Sequence, residues 1–151
     1  MDPELRSMID IFLKILHAYS AIEKKPKDMG TGDLLYVTEI HAISTIGKNP
    51  EINLTQLADM TGVTRSAISQ TVKRLISKRY IARYNTRNKK EVNLRLSDKG
   101  YLIFQAHIAY EKEIFAFAEK LYENARPEER DLVRRLFTAI YENIRKILEN
   151  F

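Results

Sequence analysis

A chain of 151 residues, 44% hydrophobic and 30% charged, is long enough to bury one core and predicts a single domain spanning 1–151. With no cysteine it is excluded from disulfide and thiol chemistry and from any cysteine-liganded zinc site. Its 25 Lys and Arg against 20 Asp and Glu give a net charge of +5, a weak pointer to a polyanionic partner.

The opening MDPELRSMID is acidic and polar, unlike a signal peptide, and no apolar run approaches the ~20 residues of a membrane span. The expectation is a cytoplasmic protein with no membrane partner. Residues 4–24 predict a helix: Leu5, Met8, Ile9, Phe12, Ile15, Leu16, Tyr19 and Ile22 recur every three or four positions. Ile11 and Leu13 widen its apolar face beyond what a surface helix needs. KKPKDMGTG at 24–32 reads as a loop. A second helix is expected from Asp33 to Ile46, with Leu35, Val37, Ile40, Ile43 and Ile46 inward, ended by Gly47 and Asn49-Pro50.

Asn53 with Gln56 makes a capping-box pattern for a short helix whose apolar side is Leu57, Ala58 and Met60. Gly62 suits the left-handed residue after its end, and Thr64 caps the next helix. There Ala67, Ile68, Val72, Leu75 and Ile76 form the expected buried stripe. Two short helices around a Gly-containing turn are a helix-turn-helix pattern. From Tyr80-Ile81 the period falls to two, and Val92, Leu94 and Leu96 alternate with Asn93 and Arg95, so a hairpin with the polar tip YNTRNKK follows. Ser97-Asp98 opens a long helix to Asn124, with Leu102, Ile103, Ala106, Ile114, Phe115, Phe117, Ala118 and Leu121 apolar. Pro127-Glu128-Glu129 opens the last, with Leu132, Val133, Leu136, Phe137, Ile140, Ile144, Ile147 and Leu148.

Charge is concentrated. Residues 62–95 hold ten cations and one acid, Glu91, for a local net charge of +9, which leaves the remainder at −4. Taken alone, such a run is as readily a solvated basic face. Placed on a helix-turn-helix and a hairpin, it predicts double-stranded DNA as partner. An α-helix fits the major groove with its N-terminal residues at base edges, which makes Thr64, Arg65, Ser66, Ser69 and Gln70 the expected readers. Arg65 matches guanine O6 and N7, and Gln70 matches adenine N6 and N7. Lys73, Arg74, Lys78 and Arg83 suit phosphates, and the tip residues Arg87, Asn88, Lys89 and Lys90 are of a size to reach a minor groove.

The stretches INLTQLADMTGVTRSAISQTVKRL and YIAR...NKKEVNLRLSDKG resemble the MarR family of winged-helix transcription regulators, and the resemblance extends over essentially the whole chain. It implies a mainly α fold: a winged helix-turn-helix lobe at 33–97 with a two-stranded β-wing, and long dimerisation helices at 1–32 and 98–151. It further implies a homodimer on a palindromic operator, acting as a repressor or in some members an activator, often relieved by a ligand. Three departures stand out. The family's usual Asp and Arg at the wing are replaced by Asn88, Lys89 and Lys90, and Lys lacks the planar fork of Arg. Arg79 occupies the position usually held by Gly before the first wing strand. No cysteine stands where peroxide-sensing members place one.

The apolar excess of the terminal helices also favours a dimer, against the simpler alternative that they pack on each other within one chain. The family's frequent aromatic ligand, lodged between the dimerisation helices and the lobe, points to Phe12, Tyr19, Tyr36, Tyr101, Phe104 and Tyr110; the competing reading is ordinary core and interface aromatics. His107 and Glu111 share a helix face and His41 precedes them, a weak metal pattern that leaves a metal-responsive regulator as an alternative. No metal or cofactor is assigned. No GxxxxGK, HExxH or GxSxG occurs, so no enzyme is expected. A winged-helix protein-interaction module is the remaining alternative.

Overall fold

The computed structural model describes residues 1–85 and 92–150. In chain order these form α1 (Pro3–Glu23), β1 (Lys27–Asp28), β2 (Leu34–Leu35), α2 (Val37–Lys48), α3 (Leu54–Thr61) and α4 (Arg65–Ser77). Then come β3 (Ile81–Asn85), β4 (Val92–Leu96), α5 (Asp98–Asn124) and α6 (Pro127–Glu149). The chain divides inside α5 into two compact units, Met1–Tyr110 and Glu111–Phe151.

In the first unit α2, α3 and α4 pack against one another, with β4 against α2. Leu35, Ile43, Leu57, Val72, Leu75 and Tyr80 are completely buried there, together with Ile103 of α5. The wing strands pair antiparallel, Ile81 opposite Leu96 and Asn85 opposite Val92. β4 is tied to the turn before α3, where Leu94 N donates to Ile52 O at 2.9 Å. The second unit holds the rest of α5 and α6. Arg126 N donates to Glu129 Oε2 at 2.8 Å and Pro127 stands in the first turn, so α6 starts where its acids and proline place it.

Four expectations are corrected. The second helix begins at Val37 rather than Asp33, because Leu34 and Leu35 pair with Asp28 and Lys27 as a miniature hairpin. Asp28 Oδ1 builds its turn, accepting from the amides of Gly30, Thr31 and Gly32 at 2.9–3.0 Å. Leu35 is still buried, but from a strand. Residues 24–32 are accordingly not all loop. Tyr80 precedes the first wing strand instead of opening it, and its ring is core. Ala67 and Met60, expected inward, are exposed.

Candidate nucleic-acid interface

Local chemistry sets both ends of the helix pair. Asn53 Oδ1 accepts from Gln56 N at 2.9 Å while Gln56 Oε1 accepts from Asn53 N at 3.0 Å, a reciprocal capping box. Gly62 at φ 69° turns the chain in the left-handed region after α3. Thr64 Oγ1 then accepts from Ala67 N at 3.2 Å and starts α4. The hydroxyl proton of Thr64 stays available to an acceptor.

α4 buries Ile68, Thr71, Val72 and Leu75. Its other side exposes Arg65, Ser66, Gln70, Lys73 and Arg74, with Ser69 half-buried. At 3.6 residues per turn these six span an arc of about 180°. No acid occurs from Gly62 to Asn85, so α4 carries no acid of its own beside its cations. Hydroxyls and an amide near the N-terminus with cations further along can read base edges and hold phosphates, respectively.

The far end of α4 is held from beneath by a group the sequence did not announce. Glu39 is fully buried, yet its carboxylate faces Lys78 Nζ at 3.2 Å and Arg74 Nε at 3.5 Å. It also accepts from Tyr36 N at 3.0 Å, closing the start of α2. Arg74 further donates to Thr71 Oγ1 at 3.2 Å, and Lys78 to Leu34 O at 3.3 Å. Arg74 is thus oriented by protein groups on one edge, with half of its side chain exposed. Nearby, Lys99 Nζ meets Asp33 Oδ2 at 2.6 Å, and the Tyr80 hydroxyl donates to the same oxygen at 2.8 Å. The Lys99 hydrogen bond, then that of Tyr80, hold the Asp33 carboxyl below its usual range, and the Asp33 bond holds the Lys99 ammonium above its own. Burial raises the Tyr80 phenol. With the second helix read from Asp33, Glu39 did not stand out as an acid of its first turn, where the start at Val37 places it.

Arg83 is exposed on β3, and Arg95 of β4 lies over the Tyr84 ring at 5.6 Å. The expected tip residues Arg87, Asn88, Lys89 and Lys90 lie outside the described residues. Arg79 is left-handed at φ 63°, the conformation that makes glycine usual there.

Of the expected ligand aromatics, Tyr101 and Phe104 come together, ring centroids 5.8 Å apart. Phe104 is packed over Gly47 and on the core. Phe12 and Tyr19 lie on α1 and Tyr36 caps α2, with no ring pair joining them to the Tyr101–Phe104 pair among the described residues. Tyr110 accepts from Lys27 Nζ at 3.2 Å. A wide-mouthed cleft of ≈ 630 Å³ lies elsewhere, between Lys48 and Met60. The His41 and His107 rings are 5.3 Å apart, and among the described residues no three His, Asp or Glu converge as a metal-ligand group.

The model of the MarR family matches residues 35–90, the stretch that carries α2, α3, α4 and the first wing strand β3. Over that stretch the chain matches the MarR family. Its curated relatives are HTH-type transcriptional regulators. Across 163 aligned residues the chain is 26% identical to the HTH-type transcriptional regulator YhjH of Bacillus subtilis (strain 168), covering 97% of this chain and 93% of that protein. The fold also matches FabT of Streptococcus pneumoniae, solved in complex with DNA, at TM-score 0.67 and 24% identity, covering 94% of this chain and 99% of that one. It matches ZitR of Lactococcus lactis in complex with DNA at TM-score 0.72 and 16% identity, covering 95% and 99%. No helix among the described residues is long and apolar enough to cross a membrane.

Proposed function

We propose that this chain is a MarR-family regulator, acting as a cytoplasmic homodimer that binds a palindromic operator in double-stranded DNA and represses transcription from it, with relief by a small aromatic ligand. The observation that carries this is the acid-free exposed arc of α4, polar at its N-terminus and cationic toward its end. Thr64, Arg65, Ser66, Ser69 and Gln70 read bases in one half-site. Lys73, Arg74 and Arg83 neutralise phosphates, and Arg87, Asn88, Lys89 and Lys90 serve the neighbouring minor groove. The DNA-bound state of FabT and of ZitR supports the same use of the fold here. The single chain leaves much apolar surface for a second copy to cover, since no residue of α1 or α6 is buried although both helices carry long apolar series. A two-fold axis covers such faces and sets two recognition helices one helical turn apart, ~10 bp. The aromatic pair Tyr101–Phe104, with Phe12, Tyr19 and Tyr36, is assigned to the ligand.

Duplex DNA binding measured across salt concentrations tests the electrostatic half of this reading. A steep linear fall of log affinity with log salt is expected. Weak binding that is indifferent to salt would contradict it and favour a protein-interaction module.

A further inference from the structure

The C-terminal end of the recognition helix is gripped more heavily than its fold requires. The Tyr80 hydroxyl donates to Asp33 Oδ2 at 2.8 Å and lies 2.7 Å from Thr31 Oγ1. Lys99 Nζ donates to Asp33 Oδ2 at 2.6 Å, reaches the Lys78 carbonyl at 3.4 Å, and sits 4.4 Å from the centroid of the Tyr80 ring. Ser97 Oγ donates to Arg79 O at 2.7 Å and Ser97 N to Tyr80 O at 3.0 Å. The first turn of α5 is seated so closely on this backbone that a Cβ on Gly100 would fall 2.1 Å from Tyr80 O. Three segments distant in sequence therefore meet at Tyr80: the β1–β2 hairpin, the end of α4 and the start of α5.

We propose that Asp33, Tyr80 and Lys99 are positioning residues for DNA recognition, forming a clamp that fixes the angle at which α4 presents its N-terminal residues to the groove. The lever is long. From Tyr80 back to Arg65 is about 20 Å at 1.5 Å per residue, so a tilt of about 5° at the clamp moves the reading residues by about 1.7 Å. A base-edge hydrogen bond tolerates only about 0.5 Å. The clamp belongs to the end of the helix that the proposed docking leaves furthest from the base readers, and it joins that end to α5. Its consequence is separable from folding. Along α4 the residues that read a half-site keep their spacing to one another, so one copy can re-dock on its half-site, while the geometry that matches two half-sites to each other is lost. This last point rests on the dimeric operator reading above.

The test uses the full chain and three variants, Tyr80→Phe, Asp33→Asn and Lys99→Met. Tyr80→Phe removes one hydroxyl and keeps the buried ring, which guards against loss of the fold. Two readouts are taken: amide hydrogen exchange, and affinity for the selected operator against the same operator with one base pair inserted between half-sites. The clamp predicts that the amides of Lys78, Arg79 and Tyr80 exchange about tenfold faster in each variant. It also predicts that the preferred half-site is unchanged, while discrimination against the inserted base pair falls from about tenfold to under about threefold. Unchanged exchange at these amides, or unchanged spacing discrimination, would overturn the proposal. Faster exchange spread evenly over the whole lobe would reduce the three residues to a general stabilising role and overturn it as well. Should the wild-type protein bind both operators equally, the dimer reading fails, while the exchange result still decides the clamp.

Discussion

Arg65 and Lys73 stand eight residues apart on one exposed arc, yet their chemistry assigns them different work. A guanidinium in the first turn of α4 can make two hydrogen bonds to one guanine edge, whereas an ammonium two turns on is a point charge for phosphate. Arg65→Ala should therefore weaken the cognate operator by about 1–3 kcal/mol while leaving random duplex nearly unaffected, as competition binding would show. Lys73→Ala should weaken both and lower the salt slope by about one unit. Equal losses for Arg65→Ala on both duplexes would move that residue to the backbone. Arg79 supplies a second residue-scale prediction. It holds φ at 63°, where an L side chain is strained and glycine is not. Arg79→Gly should raise the stability of the protein by up to about 1 kcal/mol in denaturant unfolding, while removing a cation near the proposed DNA face. A loss of stability would show that the Arg79 side chain makes up for its backbone.

At the scale of elements, α4 was legible because each of its determinants is local. Thr64, Gly62 and the Asn53–Gln56 pair are caps read off neighbouring residues, and Ile68, Val72 and Leu75 repeat at helical spacing. The β1–β2 hairpin was not legible, since it consists of two residue pairs whose turn depends on one side chain, Asp28, accepting three amides. Asp33 and the apolar residues after it carry the same letters as a capped helix start, and strand pairing prevailed. The support beneath α4 was hidden for a similar reason: Glu39, Lys78 and Arg74, or Asp33, Tyr80 and Lys99, are brought together only by packing. The Asp33–Lys99 pair has a defined pH signature. The Asp33 carboxyl is lowered, so its contribution is complete above the usual carboxylate range and lost as pH falls through the folded value, below about 4. The Lys99 ammonium is raised, so its contribution is complete below its usual value and lost only above about 10.5. Thermal unfolding should thus show no contribution from this pair to pH dependence between about 5 and 9. Asp33→Asn should flatten the acid limb of the wild-type stability curve, and an identical acid limb in the two proteins would contradict the assignment.

The molecule as a whole presents an imbalance that a single copy leaves standing. Leu5, Met8, Ile15 and Leu16 of α1 are each at least 43% exposed, and Leu132, Leu136, Phe137 and Ile147 of α6 at least 45%. Apolar faces of this extent mark an interaction surface. The sequence signalled them through the unusual width of the α1 pattern, but periodicity gives a helix face and not the surface that covers it. If a second copy covers them, folding and association are linked, and the melting temperature should rise with protein concentration. A melting temperature constant over a hundredfold dilution, with a monomer mass in sedimentation, would remove the dimer.

In the proposed dimer, α4 of each copy reads one half of a two-fold DNA sequence. Selecting bound duplexes from a random pool and sequencing them tests this reading. One enriched palindrome is expected, with half-sites about one helical turn apart, ~10 bp, whose enrichment disappears with Arg65→Ala. Strong, salt-sensitive retention with no enriched motif would contradict it, and would leave the basic face of α4 as a holder of DNA that reads no sequence.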